Sequence, residues 1–165
     1  FTVATLAEAR AMLDAGYRDL TWAFPVILSK AWRLDGLLDL GTLRFVVDSP
    51  EAIAALKEIG RDEPELPVHV WLKVDCGYHR AGVDPDSSVA VDLARRLADS
   101  RHLVFDGILS HSGHAYLVRG RAELAAAVKA EVEVVGVLAA AVRTGDHRAN
   151  LSSGRNPRNI TEASG

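Results

Sequence analysis

The chain has 165 residues, 48% of them hydrophobic and 25% charged, with a formal net charge of −3. At roughly 150 residues per domain it is a single domain, its composition excludes a disordered chain, and its charge excludes a strongly basic nucleic-acid surface. One cysteine, Cys76, excludes an intramolecular disulfide and a CxxC metal site. No apolar run is long enough to span a bilayer, and no signal peptide is visible. The expected setting is therefore the cytoplasm, with neither membrane nor nucleic acid as a partner. The chain opens on Phe1, with no initiator Met, and reads as an internal piece of a longer protein.

In chain order, short β-type runs alternate with longer helical ones. Strands are expected at Phe1–Ala4, Leu20–Phe24, Leu43–Val47, Val68–Val74 and Leu103–Leu109, with a weaker one at Ala149–Leu151. Helices are expected near 6–15, 26–35, 50–59, 86–99 and 120–143. Thr5-Leu6-Ala7-Glu8 fits a capping box, and Ser49-Pro50 places a cap residue before a proline whose missing N–H costs nothing there. Gly16 and Gly60 follow helical runs, where a left-handed residue can close the last turn.

Strand–helix alternation implies parallel strands with right-handed crossovers. A doubly wound sheet would carry GxGxxG in its first βα turn, and none is present. Polar residues instead gather after several strands: Thr5, Asp48, Asp75-Cys76-Gly77, His111-Ser112-Gly113-His114 and Ser152-Ser153-Gly154. Barrel enzymes build their sites along that edge. Six expected strands are fewer than the eight of a barrel of about 250 residues. The expected fold is α/β, an incomplete (β/α)8 TIM-type barrel of parallel strands, forming one domain over 1–165.

Three segments carry candidate chemistry. In Lys73-Val74-Asp75-Cys76-Gly77-Tyr78-His79-Arg80-Ala81-Gly82-Val83, Lys73 and Asp75 share a strand face, and Arg80 can grip a carboxylate in two places. A solvated loop with a surface ion pair fits the same spacing. Cys76 is either a nucleophile or, more commonly for a lone cysteine, an inert packed residue. In Ser110-His111-Ser112-Gly113-His114-Ala115-Tyr116, two histidines three apart with a tyrosine can act as acid–base groups or metal ligands, but no third zinc ligand stands at motif spacing. His69 reads as packing within a strand, and His102 and His147 as turn residues. Leu151-Ser152-Ser153-Gly154-Arg155-Asn156-Pro157 is a short glycine-bearing loop that can serve as an anion nest or as an ordinary turn.

Together these segments resemble the N-terminal barrel of the fold-type III PLP enzymes, the alanine racemase superfamily, and most nearly its D-threonine aldolase and D-serine dehydratase branch. Lys73–Val83 resembles that superfamily's K-x-D-x-G-x-x-R-x-G segment, and Ser110–Tyr116 resembles the branch's T-H-x-G-H-x-Y strand end. Thr2–Ala9 and Val47–Ala52 resemble its earlier βα turns. The resemblance covers nearly the whole chain.

The resemblance implies a PLP-dependent lyase acting on a small β-hydroxy-D-amino acid, as an aldolase or a dehydratase. A racemase of the same fold and a non-catalytic PLP-homeostasis carrier are the alternatives. It places His111 near the pyridine ring, Tyr116 beside the cofactor, and Arg80 where it orients the cofactor or a substrate carboxylate, with Arg80 and His111 supporting catalysis. Lys73 aligns with a lysine that is carbamylated in some alanine racemases. Ser152, Ser153, Gly154, Arg155 and Asn156 would hold the PLP phosphate, although the family pattern there is close to S-x-G-S-T-P-T, and Arg155-Asn156 replaces two hydroxyl donors. The family's Schiff-base lysine lies on a first barrel strand expected to be missing here. Of the four lysines, Lys30, Lys57 and Lys129 fall on expected helices, and Lys73 belongs to another motif. A C-terminal β domain carrying a divalent metal, zinc or manganese, is likewise expected beyond Gly165. The piece alone would then lack lyase activity, and the full-length protein could form a homodimer.

Overall fold

The computed structural model describes residues 1–26 and 36–144. In order these form β1 (Thr2–Val3), α1 (Leu6–Asp14), β2 (Asp19–Pro25), a 3-10 turn (Leu38–Leu40), β3 (Thr42–Val47), α2 (Pro50–Asp62), β4 (His69–Lys73), α3 (Ser88–Ala98), β5 (Val104–Leu109), a second 3-10 turn (Gly113–Leu117) and α4 (Arg121–Thr144). The helix expected at 26–35, the strand at Ala149–Leu151, His147 and the Ser152–Asn156 loop lie outside the described residues, except for Val26.

Both helix-start signals act as the sequence suggests. Thr5 Oγ1 accepts the Glu8 N–H at 3.1 Å, while Glu8 Oε2 reaches back to accept the Ala4 N–H at 2.8 Å, one residue before the cap itself. Ser49 caps α2 through the Ala52 N–H, and Pro50 occupies its first turn. Gly16, with φ +94°, closes α1 in a Schellman motif: its N–H bonds Leu13 O and the Tyr17 N–H bonds Met12 O, each at 3.0 Å. Gly60 differs from expectation. It lies inside α2, which runs on to Asp62. A Cβ there would sit 2.1 Å from the His102 carbonyl oxygen, so this glycine serves a close backbone approach instead of a helix end.

The five strands pair in parallel in the order β1-β2-β3-β4-β5. A right-handed crossover that always advances in the same direction puts every helix on one face of the sheet, as in a barrel wall; a doubly wound sheet must reverse its order to cover both faces. The core follows suit. Leu20, Phe45, Val47, Val70, Leu72 and Val74 pack against Leu13, Ile53, Leu56, Leu93 and Leu97 in one buried cluster between sheet and helices. Each such side chain contributes about 1.5–3 kcal/mol when fully buried.

The opposite face of the sheet is more polar. At the β4–β5 pairing the register jumps from Val70↔Phe105 to Trp71↔Gly107, which leaves Asp106 as the extra residue of a bulge. Its carboxylate accepts from Arg44 Nε at 2.9 Å and lies 3.0 Å from His69 Nδ1. Arg44 also pairs with Asp19. His69 is thus not simply packed: it opens β4 as part of an ion network near the strand starts. Networks at that end of a barrel serve stability, because the chemistry belongs to the opposite edge.

Candidate functional site

The candidate site forms where the loops leaving β4 and β5 meet. Past Lys73 the chain turns through two left-handed residues, Gly77 (φ +109°) and His79 (φ +56°). Asp75 organises that turn. Its Oδ1 accepts the N–H groups of Gly77 and His79, both at 2.9 Å, and its Oδ2 meets His79 Nδ1 at 2.8 Å. Burial disfavours charge on Asp75, but the backbone bonds from His79 and Gly77 and the His79 ring outweigh it and hold the carboxyl below its usual range. The chain then folds back so that Val83 bridges Val74, with Val83 N–H on Lys73 O and Asp75 N–H on Val83 O. Gly82 permits this return: its φ is +110°, and a Cβ would lie 2.6 Å from the Val74 carbonyl carbon. Asp48, after β3, accepts the Gly82 N–H at 3.2 Å and ties the loop to its neighbour.

This return loop and the end of β5 border a shallow, open concavity lined by Lys73, Asp75, Tyr78, Arg80 and His111 among others. Lys73, the last residue of β4, is the one buried charged side chain recorded in the core of the described residues. Burial pushes its ammonium below the ordinary lysine range; Cys76 pulls the other way, and Arg80 adds to the depression. The Arg80 guanidinium carbon lies 5.2 Å from the Tyr78 ring centroid, a cation–π contact that holds the cation over the site. The His111 ring stands edge-on to Tyr78 and is tilted toward Tyr116, with centroids 6.0 Å apart in both pairs.

Lys73, Arg80 and His111 are thus brought together. Tyr116 sits at the margin, 81% exposed. Cys76 is not among the residues lining the concavity; its Sγ lies 3.5 Å from Ser112 Oγ and 3.8 Å from Glu131 Oε1. His114 is likewise not among the residues lining the concavity, and its Nδ1 is buried without a hydrogen-bond partner among the described residues. No group of three or more His, Cys, Asp or Glu among the described residues could hold a metal ion.

Sequence reasoning missed two contributors. Tyr78 was part of a motif but carried no role, yet it touches both Arg80 and His111. Its position depends on Gly113, since a Cβ there would sit 2.7 Å from the Tyr78 ring. Glu131, on α4, gave no signal at all, because one acidic residue on an amphipathic helix is indistinguishable from a solvated one. The bulge at Asp106 did have a signal: an Asp-Gly pair inside the apolar strand Val104–Leu109.

The alanine racemase N-terminal domain family matches residues 1–156. The chain belongs to that family. Among its relatives, a D-serine dehydratase from Dictyostelium discoideum is 32% identical over 123 residues, covering 69% of this chain and 30% of that protein. The solved structure of D-threo-3-hydroxyaspartate dehydratase from Delftia sp. HT23 superposes with a TM-score of 0.79 at 29% identity, over 88% of this chain and 38% of that one. D-threonine aldolase from Filomicrobium marinum superposes with a TM-score of 0.79 at 26% identity, over 87% of this chain and 38% of that one. The family likeness makes the five-stranded sheet a partial barrel, as its strand order implies. The chain spans about 30% of the length of the D-serine dehydratase it matches. No described helix is long and apolar enough to cross a membrane.

Proposed function

We propose that this alanine racemase-type domain is part of the PLP-binding barrel of a lyase acting on small β-hydroxy-D-amino acids. The observation that carries this reading is the convergence of Lys73, Tyr78, Arg80 and His111 on one concavity at the C-terminal edge of the strands. The donor set fits the cofactor: two flat rings for a pyridine face, and a guanidinium and a buried ammonium for its oxygen substituents or a substrate carboxylate. Ser152, Ser153, Gly154, Arg155 and Asn156 would hold the phosphate. PLP, when bound, supplies an electron sink for bond cleavage at the substrate α-carbon.

The chain's own residues bind and orient. His111 offers a ring whose tilt is constrained by Tyr78 on one side and Tyr116 on the other. Arg80, supported by Tyr78, provides a fixed positive charge for a carboxylate. Lys73 keeps a second cation against the floor with little freedom to move, because it is buried. The lysine that holds PLP covalently and the divalent metal that engages a β-hydroxyl would come from elsewhere in the protein. The relatives include two dehydratases and an aldolase, so dehydration and aldol cleavage are the two outcomes to separate.

The test is to purify the full-length gene product and supply D-serine, D-threonine and D-threo-3-hydroxyaspartate. Release of a keto acid with ammonia identifies a dehydratase; glycine with an aldehyde identifies an aldolase. Racemisation alone, or a protein that retains no PLP, overturns the lyase reading.

A further inference from the structure

His111 is flanked in sequence by Ser110 and Ser112, and both serines connect to one carboxylate carried by a different element, Ser110 directly and Ser112 through Cys76. The Ser110 hydroxyl donates to Glu131 Oε1, and the Ser112 hydroxyl lies 3.5 Å from Cys76 Sγ. Cys76, from the loop after β4, is the second partner of Glu131, with its Sγ 3.8 Å from Oε1. Glu131 lies near the middle of α4, 21 residues beyond Ser110. It is half-buried, whereas Leu124, Val128 and Val132 on the same helix are exposed. Glu131 stands seven residues before the buried Leu138 and so shares its inward face of α4, where a carboxylate departs from ordinary amphipathic patterning. It is held there by its bonds.

We propose that Glu131 is the positioning residue of the site: through Ser110, and through Cys76 to Ser112, it clamps the segment that carries His111, and the same Cys76 ties that segment to the loop carrying Tyr78 and Arg80. The clamp has a physical need to meet. The segment 110–112 is irregular backbone between β5 and a short 3-10 turn, bonded within itself by Gly113 N–H to His111 O at 2.9 Å. Such a segment samples several ring orientations unless something outside it removes that freedom. An ionised acceptor does this better than a neutral one, because charge-assisted bonds are roughly twice as strong. Burial disfavours the Glu131 charge, but Ser110, Ser112 and Cys76, with His114 nearby, reverse the balance and hold the carboxyl below its usual range. The acceptor therefore stays charged at neutral pH.

The idea rests on the reading of His111 as a cofactor-facing residue, and the test separates the two. In the full-length protein, hydrogen exchange at 110–116 is compared with that at α2 for the PLP-free wild type, E131L and the loop-side double variant S110A/S112A. PLP affinity is then measured by titration for E131L, H111F and the double variant. Exchange at 110–116 is expected to rise in both clamp variants, with α2 unchanged. E131L is expected to weaken PLP binding about tenfold in the wild-type background and less than about twofold in the H111F background. E131Q, which keeps an acceptor without the charge, should fall between. Equal losses in both backgrounds would mean that Glu131 acts generally on stability and not through His111, and would overturn the proposal. Unchanged exchange in E131L and in S110A/S112A would also overturn it. If the wild-type protein binds no PLP, the reading of the site fails, and the exchange measurement alone decides the clamp.

Discussion

The Asp106 carboxylate faces two partners from two other strands: His69 Nδ1 at 3.0 Å on β4 and Arg44 Nε at 2.9 Å on β3. The bulge is what aims it there, since one extra residue in β5 turns Asp106 onto the face shared with Arg44 and His69. With the side chains of all three about one-fifth exposed, solvent weakens the pairing without removing it. D106A should therefore cost about 2 kcal/mol, below the full penalty for breaking a buried pair. Urea unfolding followed by tryptophan fluorescence checks this, because Trp71 lies in the adjacent strand. A shift in midpoint equal to that of an exposed-charge variant such as D14A would refute it.

Helix propensity alone says that G60A should stabilise α2 by about 1 kcal/mol. The tertiary structure predicts the opposite sign. The new methyl group would meet the His102 carbonyl at 2.1 Å, and backbone cannot swing aside as a side chain can. A loss of at least about 2 kcal/mol is expected, measured as a fall in thermal midpoint. Gly120, which has nothing within 4 Å of the same probe position, is the control and should tolerate alanine.

Asp75 gives the protein a pH dependence of known sign. Its carboxyl is held below the usual range in the folded state, so its stabilisation is fully present above the unfolded value of about 3.9 and is lost as pH falls through the lower folded value. D75N should be less stable than wild type at pH 7, and the gap should close in acid. Parallel melting curves from pH 7 to pH 3 measure it. A constant gap across that range would show that the ionised form is not what the Gly77 and His79 N–H groups favour.

G113A should separate site geometry from stability. The added methyl group would press on the Tyr78 ring at 2.7 Å, but that ring is 40% exposed and can move outward. The stability cost is expected to stay near or below about 1 kcal/mol. Displacing Tyr78 would loosen both Arg80 and His111, so PLP affinity should fall several-fold. In a Y78A background, G113A should do little more, because the clash has gone. Independent, additive losses in the two variants would break the link between Gly113 and Tyr78.

By itself, the sequence determined the five strands and four α-helices of the described residues and the edge that matters. Period-two apolar runs, the caps Thr5 and Ser49 and the glycine at position 16 are local signals. Each acts through neighbours within a few residues, so each could be read without the fold. The polar residues after β4 and β5 were legible for the same reason: in a parallel sheet, the residue following a strand must emerge at its C-terminal edge. The tertiary structure alone decided what depends on distance in the chain. That Gly60 meets His102, that Asp106 meets Arg44 and His69, and that Glu131 meets Ser110 are contacts between elements 21 to 62 residues apart. No periodicity encodes them. A charged residue on a strand or helix reads the same from sequence whether it faces water or a partner, and only the packing of the sheet and α4 distinguishes the two.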